Sequence, residues 1–215
     1  MNLSPKAQSI YVRLSAKGTK LGELKKMAKE IKKDHGLAME LWSTNEFLPR
    51  MLAVLILDRK LLTQDFLKEL DADMQAHGFD DRNRLMEWLM ANQLMKSKHT
   101  LSMIESWENS SSALQRRTFW YHQGRLRWTG KTPPDNTDHL LNAIDARIVE
   151  EEPAVQWAMN FTAAWIGIFD EARRVRCIEI GERIGLYKEE VAPKGCTPNY
   201  LPKFIEIEVG KRTKK

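Results

Sequence analysis

At 215 residues, with hydrophobic residues at 42% and charged residues at 29%, the chain has the composition of a globular protein large enough to bury a core, which excludes extensive disorder. Its longest apolar stretches, such as Met51 to Leu57, fall far short of the roughly 18 to 20 residues that a bilayer-spanning helix requires, so neither a membrane span nor a membrane partner is expected. The net charge of +5 is unevenly distributed: residues 1–35 carry nine Lys/Arg against three acids and residues 111–131 five against none, while residues 36–110 sum to −4 and residues 132–170 to −6. Such alternation allows a basic face and an acidic back and favours a polyanionic partner over scattered, solvated charge.

Apolar residues recur at i, i+3, i+4 and i+7 almost throughout, and apolar/polar alternation is confined to Phe204–Val209, where helix also fits, so the chain reads as all-α. The opening Met1-Asn2-Leu3-Ser4-Pro5-Lys6 has no apolar export signal, which makes the cytoplasm the expected compartment. Ser4-Pro5, Thr19, Thr44, Thr63, Asp80, Ser112, Asp135 and Pro153 are helix-start signals, and Gly18, Gly36, Gly78, Gly130 and Gly185 mark stops. About ten helices result, placed near 5–16, 20–34, 37–43, 46–58, 63–76, 81–95, 98–108, 112–128, 135–149, 153–168 and 171–184, with 199–210 as a further segment compatible with helix. Lengths of two to four turns and short loops favour antiparallel neighbours, and a unit of about 35 to 40 residues suits an α-solenoid of helix pairs better than a closed bundle, although no strict repeat motif is visible. A single domain over 1–215, with a short basic tail at 211–215, is expected.

Taken in chain order, the first segment with chemical content is the 20–34 helix. It opposes Lys25, Lys26, Lys29, Lys32 and Lys33 to Leu24, Met27, Ala28 and Ile31, a basic outer face suited to phosphate, to an anionic surface or to solubility alone. On the 81–95 helix, Asn83 and Glu87 lie four residues apart on a face shared with Met90 and Ala91. A carboxylate flanked by apolar groups can act as a base or stabilise a developing cation, although most helical acids are simply solvated.

The richest stretch is Ala113–Trp128. As a helix it places Arg117, Tyr121, Gly124 and Trp128 on one side and Arg116, Trp120, Gln123 and Arg127 on the adjacent one, with Arg125 nearby. Guanidinium forks match phosphates and aromatic rings lie against sugar or base, so the pattern suits a nucleic-acid backbone; the alternative is that Phe119, Trp120 and Trp128 are core. On Pro153–Gly167 a stripe of Trp157, Phe161, Ala164 and Ile168 reads mostly as core. Small Ala158, Thr162 and Ala163 there allow close helix packing, and Asn160 is the polar residue expected to face solvent or a ligand. Phosphate-loop, zinc-protease, Cys-x-x-Cys and serine-elbow signatures are missing. The five histidines are dispersed near helix ends or on polar faces, and Cys177 and Cys196 read as reduced thiols, so no metal site and no cofactor is expected.

The strings around Leu24–His35, Pro49–Lys60, Leu85–Asn92, Leu114–Arg127 and Val155–Trp165 resemble the bacterial DNA alkylation-repair glycosylases of the AlkD-like family, a likeness distributed over roughly residues 5 to 210. The resemblance implies a right-handed superhelix of HEAT-like helix pairs whose basic concave face holds duplex DNA; alkylated duplex DNA is the expected partner and a monomer the expected state. It also implies metal-independent removal of cationic N3- and N7-alkylpurines. Under it the family's catalytic aspartate falls on Glu87, its phosphate-contacting arginine on Arg117, and its two DNA-facing tryptophans on Asn83 and Phe161. Glu for Asp keeps the charge but moves it by about one methylene, Phe for Trp keeps an aromatic face, and Asn for Trp removes one; Trp88, Trp120 and Tyr121 are the neighbouring aromatics that could compensate. Arg116, Tyr121, Trp120, Arg125, Arg127, Lys29 and Lys33 complete the expected DNA contacts, and a non-catalytic module that recognises DNA structure or damage without excision is the alternative.

Overall fold

A computed structural model describes residues 3–15 and 18–213. By contact the chain divides into two compact units, Met1–Ser106 and Trp107–Lys215. Among the described residues every regular element is helical, and no helix is long and apolar enough to cross a membrane.

The first unit comprises α1 (Pro5–Ser15), α2 (Leu21–Ile31), α3 (His35–Trp42), α4 (Phe47–Ile56), α5 (Gln64–Met74), α6 (Phe79–Asn92) and α7 (Lys98–Glu105). α4 is its centre: Pro49 to Val54 and Ile56 are all buried, and the helix packs against α1, α2, α3 and α6. An element apolar on nearly every side can only be stable when enclosed by others. Its single charged residue, Arg50, is 1% exposed and fully engaged. Nε donates to the Trp42 carbonyl at 3.1 Å, Nη1 to the Asp73 carbonyl at 2.7 Å and Nη2 to Asn45 Oδ1 at 2.6 Å, while the guanidinium sits 4.8 Å from the Trp42 ring centroid. Trp42 and Asp73 lie in the last turns of α3 and α5, where carbonyls have no partner within their own helix, so one buried cation closes two helix ends.

The second unit comprises α8 (Ala113–Trp128), α9 (Thr137–Arg147), α10 (Pro153–Phe169), α11 (Glu171–Ile184) and α12 (Leu201–Thr213). α10 has the central role here, packing on α8, α9, α11 and α12. Its closest partner is α8, and the approach depends on small residues at the crossing. A Cβ on Gly124 would lie 2.6 Å from Phe161 Cδ1 and 3.1 Å from the Thr162 backbone, and Thr162 Oγ1 donates to the Trp120 carbonyl at 2.5 Å. The expectation that Ala158, Thr162 and Ala163 admit close packing is met, since all three are buried.

Half of the expected helix starts hold: Ser4, Thr63 and Ser112 accept the backbone N–H three residues on, and Pro153 occupies the first turn of α10. α2, α4, α6 and α9 instead follow Lys20, Glu46, Gly78 and Asn136, in place of Thr19, Thr44, Asp80 and Asp135, and Ser97 and Asp170 cap α7 and α11. Some boundaries differ. Gly36 lies inside α3, which is capped instead by Asp34 accepting from Leu37 N at 3.1 Å. α6 stops at Asn92 because Gln93 turns out of the helix to donate its amide to the Val54 carbonyl at 2.6 Å, and a short 3-10 turn over 94–96 follows. The alternating stretch within 204–209 is part of α12.

His122 departs from the expectation for histidines: it lies in the middle of α8 and is 3% exposed. Burial, reinforced by the Arg125 and Lys131 charges, pushes its imidazole down to about 4. The unfolded chain takes up this proton near pH 6.5, while the native state refuses it until about pH 4. The resulting stability is therefore fully present above pH 6.5 and is lost as pH falls toward 4, by about 3 kcal/mol. Urea unfolding at pH 7.5 and 4.5 should show this loss in the parent, and His122→Phe should shrink it; His77, lowered chiefly by burial, contributes a residue of the same sign in both proteins.

Candidate nucleic-acid interface

The two faces read from the α8 sequence are distinct in the structure and do different things. Arg117, Tyr121, Gly124 and Trp128 meet the aromatic side chains of α10. Arg117 is itself only 7% exposed, with its guanidinium 5.4 Å from the Trp157 ring centroid, while Tyr121 stacks at 5.1 Å on Phe161 and 6.1 Å from Trp157, and Trp128 stacks at 5.8 Å on Trp165. This is the side on which arginine and aromatic groups are brought together.

The adjacent face is committed to the fold, which corrects three expected DNA contacts. Trp120 has no exposed surface and packs edge-to-face on Phe119 at 5.3 Å. Arg116 donates to both Glu151 carboxylate oxygens at 2.9–3.1 Å and to the Ser110 and Ser111 carbonyls at 2.8 and 3.1 Å, binding the turn before α8 to the one before α10. Arg127 is 6% exposed and donates to the Gln123 carbonyl, Asn136 Oδ1 and Thr137 Oγ1, anchoring the start of α9; burial lowers its pKa from the ordinary guanidinium value. Arg125, by contrast, is half-buried and makes no ion pair among the described residues. Asn160 is also turned inward, donating to the Asn199 carbonyl at 2.8 Å rather than facing a ligand.

The aromatic stripe of α10 is Trp157, Phe161, Trp165 and Phe169, at four-residue spacing, while Ala164 and Ile168 are core. Trp165 and Phe169 were absent from the sequence-based site, although their spacing from Phe161 was the available signal. Arg212 from α12 lies 5.3 Å from both of these ring centroids. No sequence signal joined Arg212 to residues more than forty positions away.

In the first unit, α6 carries Asn83 and, one turn on, half-buried Glu87. Asn83 is 9% exposed and folds back to donate to its own helix, at the Phe79 carbonyl, 2.8 Å away. Its expected role at DNA is corrected accordingly, because the side chain is buried, its nitrogen bonded within α6 and its Oδ1 enclosed away from solvent. Trp88 is likewise occupied, with Nε1 donating to the Met51 carbonyl at 3.0 Å and the Lys25 ammonium 5.4 Å from its ring. Lys29 is exposed, and exposed Lys33 pairs with Asp58 at 3.2 Å. Lys33 also lines a cleft of about 680 Å³ with Lys32, Arg59, Lys60, Gln93 and His99, where the C-terminal ends of α2, α4 and α6 attract basic side chains.

Compared with known proteins, the chain matches, over residues 8–183, a family model described as DNA alkylation repair enzyme. Among solved structures it is similar to one reported under the description "A new family of proteins related to the HEAT-like repeat DNA glycosylases with affinity for branched DNA structures", with a TM-score of 0.61, 19% identity and coverage of 97% of this chain and 89% of that chain. At that identity the likeness speaks for the fold, an all-α one of HEAT-like helical repeats. No curated protein matches.

Proposed function

The chain belongs to the DNA alkylation repair enzyme family, and on that premise we propose that it binds duplex DNA and hydrolyses the N-glycosidic bond of cationic N3- and N7-alkylpurines, as a cytoplasmic monomer without metal or cofactor. The observation that carries the DNA half is the assembly of Arg117, Tyr121, Trp157 and Phe161 on one side of the α8–α10 pair, where a phosphate and a sugar find a guanidinium and ring faces together. Within the second unit Arg117 holds a phosphate and Phe161 and Tyr121 offer ring faces to the DNA backbone, and Arg125, Lys29 and Lys33 add sequence-independent affinity.

The chemistry asks little of the protein. An alkylated purine already carries a positive charge, so when the bond from C1′ to the base nitrogen breaks, its electron pair returns to the purine and discharges the cation. Glu87 stabilises the oxocarbenium-like sugar and accepts the proton of the water that adds to C1′. A second reading, recognition of DNA structure without excision, is favoured by Asn83: the resemblance puts an aromatic side chain there, and the amide present instead is folded onto α6.

Incubation with methylated duplex DNA separates these readings. Release of 3-methyladenine and 7-methylguanine by the parent, reduced at least about 100-fold in Glu87→Gln, is expected if Glu87 acts at the reacting sugar. Binding without release leaves the second reading. Duplex affinity should fall steeply with salt, and Arg117→Ala should flatten the slope of log K against log salt by about 1. Affinity indifferent to salt would remove both readings.

A further inference from the structure

The aromatic side chains of the second unit extend well past the part assigned to the DNA backbone. From Trp157 to Phe169 α10 rises by twelve residue steps, about 18 Å of helix. Along it the rings form two sets. Tyr121, Trp157 and Phe161 are parallel within 24°, with centroids 5.1, 5.4 and 6.1 Å apart. Rings in face contact lie about 3.5 Å apart, so a column of three would hold its outer planes about 7 Å from each other. The longest separation here is 6.1 Å, so these rings are not in single file: some lie side by side, as paving. Trp128, Trp165 and Phe169 form the second set, with successive planes 27° and 20° apart, meeting the first edge-to-face at Phe161.

The outer members of the second set face water: Trp128 is 48% exposed and Phe169 51%. An aromatic patch of this kind left in solvent marks a partner. The charge around it identifies the partner's sign. Neither α8 nor α10 contains a single Asp or Glu. Arg125 lies on α8, and Arg212 lies against Trp165 and Phe169, held there by donating to the Glu208 carbonyl at 2.7 Å and carboxylate at 2.8 Å. Duplex DNA cannot use such a surface fully, because its bases are already stacked on one another and offer a protein only their edges. Unpaired bases have free π-faces, and every base has one.

We propose that the Trp128–Trp165–Phe169 patch with Arg212 and Arg125 is a landing site for unpaired DNA, a few nucleotides of single strand at a fork, gap or junction, whose bases stack on Trp128 and Phe169 while the arginines hold their phosphates. The site rests on the DNA-binding reading above and deepens it, since it names the form of DNA preferred. A sequence-tolerant preference for branched over fully paired DNA follows, independent of whether Glu87 cuts anything.

The test is titration of the full chain, at one salt concentration, with a labelled duplex, the same duplex bearing a single-stranded arm, and an oligo-dT. The parent should bind the armed duplex at least about tenfold more tightly than the plain one. The double variant Trp128→Ala/Phe169→Ala should lose that preference and its oligo-dT binding while keeping plain-duplex affinity within about twofold, and Trp128→Phe should restore most of it. If the alanine variant melts early, Trp128→Leu/Phe169→Leu keeps the apolar cover without a ring and gives the same reading. Equal binding of both duplexes by the parent, or a preference retained in a folded variant, overturns the site while leaving duplex binding intact. A patch that instead joins two copies shows as a dimer in sedimentation that the variants dissolve, with no preference among DNA forms, and also overturns it. Failure to bind any DNA defeats the functional reading itself.

Discussion

Replacing Arg50 by alanine should destabilise the first unit by about 3–5 kcal/mol, because it removes three hydrogen bonds made by a buried charged group and leaves a cavity where the side chain packed. The guanidinium is 1% exposed and serves the Trp42 and Asp73 carbonyls and the Asn45 amide at once. Truncation leaves the Trp42 and Asp73 carbonyls with only the 3.3 Å backbone donors Asn45 N and Ala76 N, removes the donor to Asn45 Oδ1, and opens a void beneath the Trp42 ring. Arg50→Lys should recover little, because an ammonium on a single stem cannot reach three acceptors set around a planar fork. Thermal melts and urea titrations of both variants supply the measurement. A loss below about 1 kcal/mol in Arg50→Ala would show that the carbonyls find other partners and that α3 and α5 do not depend on this residue.

Gly124→Val should also be costly, for a steric reason. The added Cβ would sit 2.6 Å from the Phe161 ring and 3.1 Å from the Thr162 backbone. The ring can swing away but the backbone cannot, so the helices must part or Phe161 must leave its place beside Tyr121 and Trp157. Overpacking of this kind costs about 1–3 kcal/mol, and the better helix propensity of valine, worth a few tenths of a kcal/mol, does not offset it. DNA affinity of the remaining folded protein should fall as well, which a purely structural role at a distance would not produce. Gly22→Ala is the matched control: Gly22 lies in α2 with nothing within 4 Å of an added Cβ, so that substitution should be neutral or stabilising by up to about 1 kcal/mol.

The helices were legible because their signals are local. Ser112, Pro153 and Thr63 sit where capping chemistry places them, and the segments expected near 112–128 and 153–168 are the observed Ala113–Trp128 and Pro153–Phe169 within a residue. The break after Asn92 was not legible, since it depends on Gln93 reaching a carbonyl 39 positions away. The same distinction governs the site. Periodicity divided α8 correctly into a face with Arg117, Tyr121 and Trp128 and a face with Arg116, Trp120 and Arg127. It could not say which face turns inward, because both mix arginine with aromatic residues. That is decided by Glu151, 35 positions away, and by Asn136, in the loop that follows α8, which take up two of the arginines, and by Gly124, which brings α10 onto the other side. Asn83 illustrates a further limit: a short amide on a helix can turn back to its own carbonyl ladder, and nothing in the neighbouring residues announces that it does.

The paved rings also give the protein a built-in optical reporter. Five of its seven tryptophans, Trp107, Trp120, Trp128, Trp157 and Trp165, belong to the second unit, and Trp128 and Trp165 are 5.8 Å apart and nearly parallel. Indoles at that distance couple most strongly through their intense far-ultraviolet transition, so the circular dichroism of the native chain should carry an indole band there that is lost when the α8–α10 contact loosens. Trp128, the half-exposed member of that pair, is the emitter that a nucleobase lying on its face would quench. Occupancy of the patch can thus be followed in the unlabelled, unmodified protein by the dimming of its own fluorescence.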